Sequence, residues 1–264
     1  MATRKRAQIP SRDDALVDNA LRRSPLFATW PADAFIELER MAGIERYRQG
    51  DSIHHIGEKV RGLYVVVTGS LENSLLQQRG RRYVLDYVAP GGAIGLIPAL
   101  DQNTALTHVR AHDDTVLVLI PGEGLRDLLQ RRPELLFTLA LDLCDNVRRF
   151  GAHIERLAML PLRERVAHAL MSLASRYGQH SGRAIDIGLK VSQDDLAGML
   201  SVSRQRVNGE LRRLVAEGII AARYSHITIL DADRLAARVT DEGLRRSIVP
   251  LAAQQQVKNL SRTR

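Results

Sequence analysis

The polar side chains best suited to recognition chemistry lie in the stretch VSRQRVNGEL, near the carboxyl end of the chain. Val207 and Leu211 are four positions apart and give this stretch one apolar helical face. Arg204, Gln205 and Asn208 then point outward. Their guanidinium and amide groups can each form paired hydrogen bonds with a ligand. These side-chain types are the ones that contact base edges in the major groove of DNA. The stretch is therefore a candidate DNA-reading helix.

The residues on either side complete a two-helix motif. Ser192 followed by Asp195 is close to a capping box, with Asp in place of the usual Glu, and predicts a helix that starts after Ser192. The short segment SVS then makes a turn, and Ser203 is placed to cap the second helix. The alternating stretch IIAARYSHITIL after Gly218 predicts a two-stranded wing. A basic helical hairpin with a solvated face is the alternative, but it accounts for neither the caps nor the wing.

The expected DNA contacts divide by type. Arg204 is the candidate for a bidentate contact to guanine, and Gln205 and Asn208 suit adenine or other base edges. Arg206 and Arg212 suit phosphate contacts, which position a protein without specifying sequence. The full expected set is Ser192, Gln193, Ser203, Arg204, Gln205, Arg206, Asn208, Arg212, Arg223 and His226.

The net charge of +8 is unevenly distributed along the 264 residues. Residues 1–160 hold 21 basic and 20 acidic side chains, whereas residues 161–264 hold 17 basic and 10 acidic ones. Such an asymmetry indicates a polyanionic partner for the carboxyl-terminal part, with a role in solubility as the simpler alternative.

Other classes of protein are disfavoured by what the sequence lacks. The one cysteine, Cys144, excludes an intrachain disulfide framework and a multi-cysteine metal site, and we expect it to pack in the core. No apolar run is long enough for a membrane span, and the basic start has no apolar segment behind it. No P-loop, nucleophile elbow, metal-ligand spacing or dinucleotide fingerprint is present. We therefore expect a cytoplasmic protein that is not an enzyme, has no metal site and does not contact a membrane.

The region from about 44 to 120 has a different residue composition and hydrophobic pattern. Short runs rich in Val, Ile, Tyr and Thr alternate with glycines that recur roughly every ten residues, which is typical of an antiparallel β barrel or roll.

A long helix is predicted over residues 133–160. Its apolar positions step by three or four, close to the seam of a coiled coil, and we expect this seam to pack on a second copy of the chain. Packing on the chain's own β domain is the alternative. The expected seam residues are Leu136, Leu139, Leu143, Val147, Phe150, Ile154 and Leu157. Pro161 then favours a new helical start and places a hinge near residues 160–162.

These elements predict an α+β fold. Its parts are a basic mobile arm (1–20), a β-roll sensor domain (21–132), a dimerisation helix (133–160), a winged helix-turn-helix domain (161–240) and a basic tail (241–264).

Over residues 22–235 the sequence resembles the CRP/FNR family of bacterial transcription regulators. DSIHHIGEKVRGLYVVVTGSL resembles strands of that family's cyclic-nucleotide-binding-like β roll, and SQDDLAGMLSVSRQRVNGELRRLVAEGII resembles its winged helix-turn-helix. The order of the four parts also agrees. The resemblance implies a homodimer that binds pseudo-palindromic double-stranded DNA and, if it is an activator, also RNA polymerase. It also implies an effector pocket near GGAIGLI, formed by Gly92, Ile94, Gly95, Leu96, Thr107 and Arg110.

The departures from the family pattern bear on the effector. Cyclic-AMP-binding members carry a Gly-Glu pair and then an Arg-Ser pair, whereas here Gly95 is followed by Leu96 and the later segment reads NTALTHVRA. A buried cyclic phosphate without these groups is poorly compensated, so we do not expect cyclic AMP to bind in the standard way. The four cysteines of the family's iron–sulfur oxygen sensors are also missing, which excludes that cluster.

Haem, which some relatives bind, has four candidate ligands in the roll. These are His54, His55, His108 and His112. His108 and His112 would face the same side of a strand but lie about 13 Å apart, at about 3.3 Å per residue, which is too far for one small metal site. We therefore expect these histidines to be packed or simply exposed.

The remaining effector hypotheses are a cyclic dinucleotide and no effector at all. The segment QQRGRR gathers Arg79, Arg81 and Arg82 at one predicted hairpin tip, and paired arginines suit phosphates, although a solvated tip is the simpler interpretation. Constitutive DNA binding is the other alternative. The identity of the effector or cofactor is left open.

The recognition helix also departs from the family. The well-known members have Glu and Arg at the positions that Gln205 and Gly209 occupy here, so we expect a different target sequence. The main rival function is a ligand-binding regulatory module that acts on a protein partner, which would leave the basic carboxyl-terminal part without a role.

Overall fold

The structure is a computed structural model that describes residues 12–76 and 82–239. The described residues form two compact units, one made of the residues up to Asn73 together with Tyr87–Leu141, the other of Ser74–Asp86 and the residues from Asp142 onward. The first eleven residues, the predicted hairpin tip with Arg79 and Arg81, and the predicted basic tail lie outside the described residues.

The first unit begins with two helices, α1 (Arg12–Arg23) and α2 (Ala32–Met41), joined through a short 3-10 turn at Pro25–Phe27. Acidic residues in the first turn of α1 and basic residues in its last turn favour this helix electrostatically. Val17, Ala20 and Leu21 on its inner face are buried. The arm predicted over residues 1–20 is therefore too long, because these apolar side chains fix the segment from Arg12 onward against the domain.

The β region folds into two four-stranded sheets. Their strand orders are β1-β8-β3-β6 and β2-β7-β4-β5. The strands are β1 (Gly43–Tyr47), β2 (Ser52–His54), β3 (Gly62–Thr68), β4 (Leu71–Leu76), β5 (Arg82–Val88), β6 (Ala93–Ile94), β7 (His108–Ala111) and β8 (Thr115–Pro121). Gly69 turns between β3 and β4 with φ of 80°, and a Cβ there would lie 2.4 Å from the Asp114 carbonyl oxygen. The β-roll prediction is confirmed.

The interior of the roll is filled by its own side chains. Its buried cluster is Tyr64, Val66, Leu71, Ile94, Val109 and Leu117, with Tyr47, Ile53, Val60, Val88 and Leu119 packed against it. Glu72 on β4 is also fully buried, and Arg110 on β7 donates to its carboxylate at 2.8 Å. A buried carboxylate requires such a partner, because desolvation of an unpaired charge is costly.

Helix α3 (Leu96–Asp101) lies between β6 and β7, and α4 (Gly122–Arg131) and the long α5 (Glu134–Met159) follow β8. The bounds of α5 agree with the predicted helix over 133–160. Its first turns belong to the first unit, where Leu135 and Leu139 are buried and Trp30 donates to the Thr138 hydroxyl at 2.7 Å. In the part of the chain that the structure describes, no helix is long and apolar enough to cross a membrane.

Most of the predicted seam residues on α5 are exposed or half-buried, but one of them, Leu139, does not belong to the seam. Leu136, Val147, Phe150 and Ile154 are exposed, and Leu143 and Leu157 are half-buried. Leu139 is fully buried within its own unit, since it lies close to the anchored Thr138 end of the helix. Cys144 is exposed on α5, so the expectation of a core cysteine is also wrong.

The second unit contains the predicted helix-turn-helix. Its helices are α6 (Leu162–Tyr177), α7 (Gln193–Leu200), α8 (Arg204–Ala216) and α9 (Ala232–Ala236). Its strands are β9 (Gly178–Ser181), β10 (Ala184–Ile187), β11 (Ile220–Arg223) and β12 (His226–Ile229), paired antiparallel in the order β11-β12-β10-β9. Pro161 directly precedes α6, as the sequence predicts.

Candidate nucleic-acid interface

The amino end of α7 is fixed by a reciprocal capping box. The Asp195 backbone N–H donates to the Ser192 hydroxyl at 3.1 Å, and the Ser192 backbone N–H donates to the Asp195 carboxylate at 2.9 Å. Arg82, on the part of β5 that belongs to the same unit, donates to the other Asp195 oxygen at 3.0 Å. Because Asp195 serves both contacts, it holds the start of α7 and the start of β5 together.

The turn to α8 follows from two local features. Ser201 ends α7 in the left-handed region with φ of 53°, which reverses the chain within two residues. Ser203 is extended, and its hydroxyl accepts from the Arg206 N–H at 3.4 Å, so it caps α8. Val207 and Leu211 on the inner face of α8 are buried. This packing fixes which side of α8 faces solvent.

None of the ten predicted contact residues is buried. Those in the first turn of α8 (Arg204, Gln205 and Arg206) are exposed, as is Arg212 two turns later, and Asn208 is half-buried. A Cβ at Gly209 would meet nothing within 4 Å, so this position leaves open space on the helix surface.

The predicted wing is present as the β11–β12 hairpin. Arg223 and His226 pair across it and are both exposed. The wing lies beside the capped start of α7, because the Val191 N–H donates to the Ser225 carbonyl at 3.0 Å. A groove of about 390 Å³ runs between these elements and Arg204. The start of α7, the start of α8 and the wing therefore border one concave surface, which we call the α8 face.

Sequence reasoning missed Tyr224, which forms the tip of the wing. Its side chain is fully exposed, and its φ of 53° lies in the left-handed region that a bulky residue rarely adopts. The sequence signal for such a turn is glycine or asparagine, and neither is present in RYSH. A strained and exposed aromatic residue at a hairpin tip is a candidate for a functional role.

Sequence reasoning also missed two charged groups in this unit, namely Asp194 at the α8 face and Arg165 on α6. The Asp194 carboxylate accepts from Arg204 at 3.3 Å, so the best base-reading candidate lies beside an acid. Arg165 on α6 donates to the Leu200 carbonyl at 3.1 Å. Burial lowers the pKa of Arg165 below its ordinary value, and the charge of Arg206 lowers it further. A bound anion would relieve that repulsion.

The predicted effector residues lie in both sheets of the roll and in the adjoining segments. Gly95 caps α3 with φ of 83°, and a Cβ there would lie 2.6 Å from the Gly62 carbonyl oxygen. Ile94 and Leu96 are buried beside it, Gly92 lies before β6, and Thr107 is half-buried before β7. Arg110, the one cation of the set, is the group that binds Glu72. The buried Glu72 partner was not predicted, since a lone glutamate in a strand gives no sequence signal of burial.

In chain order, the fold is a β roll followed by a long helix and a winged helix-turn-helix. The sequence profile of the cyclic nucleotide-binding domain matches residues 44–132, and that of the Crp-like helix-turn-helix domain matches residues 164–238. The chain belongs to the CRP/FNR family of transcription regulators. It is a regulator of the CRP-like type, with a cyclic-nucleotide-binding-type domain and a DNA-binding helix-turn-helix.

Relatives of known name agree with this assignment. A CRP-like cAMP-activated global transcriptional regulator of Mycobacterium tuberculosis is 26% identical over 228 residues, which is 84% of this chain and 99% of the relative. The structure of a CRP/FNR-family regulator from Thermus thermophilus matches with a TM-score of 0.64 and 26% identity over 75% of this chain and 99% of its own. The c-di-GMP-responsive regulator CLP of Xanthomonas campestris shares the fold, with a TM-score of 0.65 and 22% identity over 75% of this chain and 99% of its own.

The strain at Tyr224 can be measured with two substitutions. Tyr224→Ala keeps the left-handed strain and Tyr224→Gly removes it, while both delete the phenol ring. We expect the Gly variant to be more stable than the Ala variant by about 1 kcal/mol, the lower end of the cost of a left-handed L-residue. Urea denaturation followed by circular dichroism provides the comparison. Equal midpoints for the two variants would show that the turn is unstrained.

Proposed function

We propose that this protein is a dimeric regulator that binds a specific DNA sequence with the α8 face. The observation that carries the proposal is the packing of α8, whose buried Val207 and Leu211 leave a capped, basic first turn exposed. In helix-turn-helix proteins the first turn of the second helix meets base edges in the major groove. The rival function, a ligand-binding module that acts on a protein partner, leaves this face without a role.

Each group on the face has a role in the proposal. Arg204 binds guanine, and Gln205 and Asn208 read neighbouring base edges. Ser203, Arg206 and Arg212 bind phosphate from α8, as Ser192 and Gln193 do from the start of α7. Arg223, Tyr224 and His226 reach the backbone from the wing.

Asp194 adds discrimination in this proposal. Its carboxylate pairs with Arg204 at 3.3 Å, and both side chains are largely exposed. A correct base offers Arg204 a bidentate contact that replaces this ion pair, whereas a wrong base offers no such contact and the ion pair stays. The ion pair is therefore a competing interaction that the correct base must outweigh, and specificity is a difference of this kind between affinities.

The matched pair Arg204→Ala and Arg213→Ala tests the α8 face. Arg213 is also exposed on α8 but nine residues further on, about half a turn around the helix, where it pairs with Glu210. On an operator selected from random duplexes, we expect Arg204→Ala to lose roughly tenfold to a hundredfold in affinity, since a bidentate base contact is worth about 1–3 kcal/mol. Arg213→Ala should bind within about threefold of the wild type.

Fluorescence anisotropy at several salt concentrations gives these affinities and the salt dependence of phosphate contacts. An unchanged affinity for Arg204→Ala would mean that α8 is docked differently from our proposal. Failure of the wild-type protein to bind any duplex would instead refute DNA binding itself.

The dimer in our proposal forms along α5. Its exposed apolar residues are Leu136, Phe137, Leu141, Val147, Phe150, Ile154 and Met159. Such a row on one helix is unfavourable in water and is typical of a surface that a partner covers. Paired chains would set two recognition helices about 34 Å apart, one turn of DNA, and the operator would be pseudo-palindromic. RNA polymerase is the further partner if the regulator activates transcription.

Dimerisation is tested by Ile154→Glu with Glu155→Gln as the control. Ile154 is exposed in the single chain, so the substitution should leave the fold intact, but it would bury an unpaired charge in a dimer. We expect the dimer dissociation constant to rise by roughly a hundredfold or more, since several kcal/mol are at stake. Sedimentation equilibrium measures it. A dimer that tolerates Ile154→Glu but not substitutions elsewhere would move the interface away from α5.

The effector is proposed to differ from cyclic AMP bound in the standard way. Arg110 is engaged by the buried Glu72, so a cyclic phosphate that took this cation would have to break a buried ion pair. A cyclic dinucleotide, as the name of the CLP regulator indicates for that protein, and constitutive activity are the two alternatives we retain.

A thermal-shift panel tests the effector. Cyclic AMP, cyclic GMP, cyclic di-GMP and haem are each added at saturation, with 5′-AMP as the control. A ligand at a hundredfold excess over its dissociation constant should stabilise the fold by about 2.7 kcal/mol. We expect no shift with cyclic AMP. A clear shift with cyclic AMP would overturn the argument from Arg110 and Glu72, and a shift with cyclic di-GMP would decide between the two alternatives.

A further inference from the structure

Two histidine rings that are 53 positions apart in the sequence meet at the edge of the β roll. His55 follows β2 and His108 begins β7, and their Nδ1 atoms lie 3.3 Å apart. The ring centroids are 5.5 Å apart, with 67° between the ring planes. From the sequence, His108 and His112 were the pair expected to face the same side of a strand. The folded chain pairs His108 with His55.

The backbone holds both ring-bearing residues in place. β2 and β7 pair antiparallel, with His54 opposite Val109. Beyond the strands, the Gly57 N–H donates to the Ala105 carbonyl at 2.9 Å, and the Ala105 N–H donates to the Glu58 carbonyl at 2.8 Å. His55 itself is fixed, because its backbone N–H donates to the Glu58 carboxylate at 2.7 Å. The pair is therefore preorganised from both strands.

Each of the two facing nitrogens can present one lone pair. The Ile56 N–H lies 3.4 Å from the Nδ1 atom of His108, which favours a lone pair on that atom. In one tautomer His55 donates a hydrogen from Nδ1 to this lone pair, and in the other it carries the hydrogen on Nε2, so that two lone pairs face each other and repel. A cation that takes the place of the shared hydrogen, and of the long contact from Ile56, would bind both lone pairs of the second tautomer.

The separation of the nitrogens suits a metal ion. Metal–imidazole bonds of about 2.0–2.1 Å at a near-tetrahedral angle place two ligand nitrogens about 3.3–3.4 Å apart. The His55 ring is exposed, so a small turn about its side-chain bonds aims both lone pairs at one point. The Glu58 carboxylate beside His55 adds negative potential.

We propose that His55 and His108 together bind one divalent transition-metal ion of the class that prefers imidazole. Among the described residues, no set of three or more His, Cys, Asp or Glu side chains is arranged to hold a metal. Water therefore fills the other positions of this site, and the ion exchanges readily. For nitrogen ligands of this kind affinity is highest for Cu²⁺, with Ni²⁺ and Zn²⁺ weaker. The bound ion clamps the end of β2 to the start of β7.

The test uses tag-free, full-length protein freed of metal with a chelator. Cu²⁺ is titrated by calorimetry into the wild type, His55→Gln, His108→Gln and the control His180→Gln, which alters an exposed histidine on β9 in the other unit. We expect one site per chain in the wild type and the control. In His55→Gln and His108→Gln the affinity for Cu²⁺ should fall by more than about tenfold. Removal of a mere hydrogen-bond partner of a metal ligand already causes a loss of that size.

Electron paramagnetic resonance of the Cu²⁺ complex provides a second readout, which reports directly the number of nitrogen ligands. The wild-type spectrum should show coupling to two nitrogens, and each variant spectrum to one. Metal-free unfolding midpoints check that the variants are folded. Wild-type affinity in His55→Gln or His108→Gln, or a wild-type spectrum with a single nitrogen, would overturn the proposal.

Discussion

The rotational position of α8 on the core of its unit is the constraint on which the rest of the α8 face depends. Val207, Leu211 and Leu214 are buried, and 3.6 residues per turn then fix the direction of every other side chain on that helix. A shift by one position would rotate the helix by about 100° and bury a polar residue in place of Val207. The same burial that stabilises the unit therefore determines which groups reach a nucleic acid.

The parts of the fold that follow local rules were predictable from sequence. The Ser192–Asp195 capping box, the Ser203 cap, the wing and the bounds of α5 each rest on contacts between residues close in the chain. The candidate face followed from them, since Arg204 and Gln205 are placed by the period of one helix. Tyr224 was missed because its backbone conformation is imposed by the pairing of β11 with β12.

The features that sequence reasoning missed or misplaced depend on contacts between distant residues. Leu139 fits the spacing of the seam, but the Trp30–Thr138 hydrogen bond lies across 108 positions and turns that end of α5 inward. The pairing of Glu72 with Arg110 and the meeting of His55 with His108 arise from strands that are adjacent only in the folded sheet. Neither the burial of a charge nor the approach of two rings leaves a periodic signal in one sequence.

The anchoring of α5 near Thr138 has a consequence for the neighbouring residues of the same helix. The indole of Trp30 fixes Thr138, and at about 100° per residue this sets the direction of the side chains on the same turn. Leu139 then faces the core of its unit, whereas Phe137 faces solvent. A substitution at Trp30 that let this end of the helix rotate by a fraction of a turn would re-aim both side chains without changing either residue. Which apolar side chains the first turns of α5 expose is therefore encoded partly in a tryptophan that lies 108 positions away in the sequence.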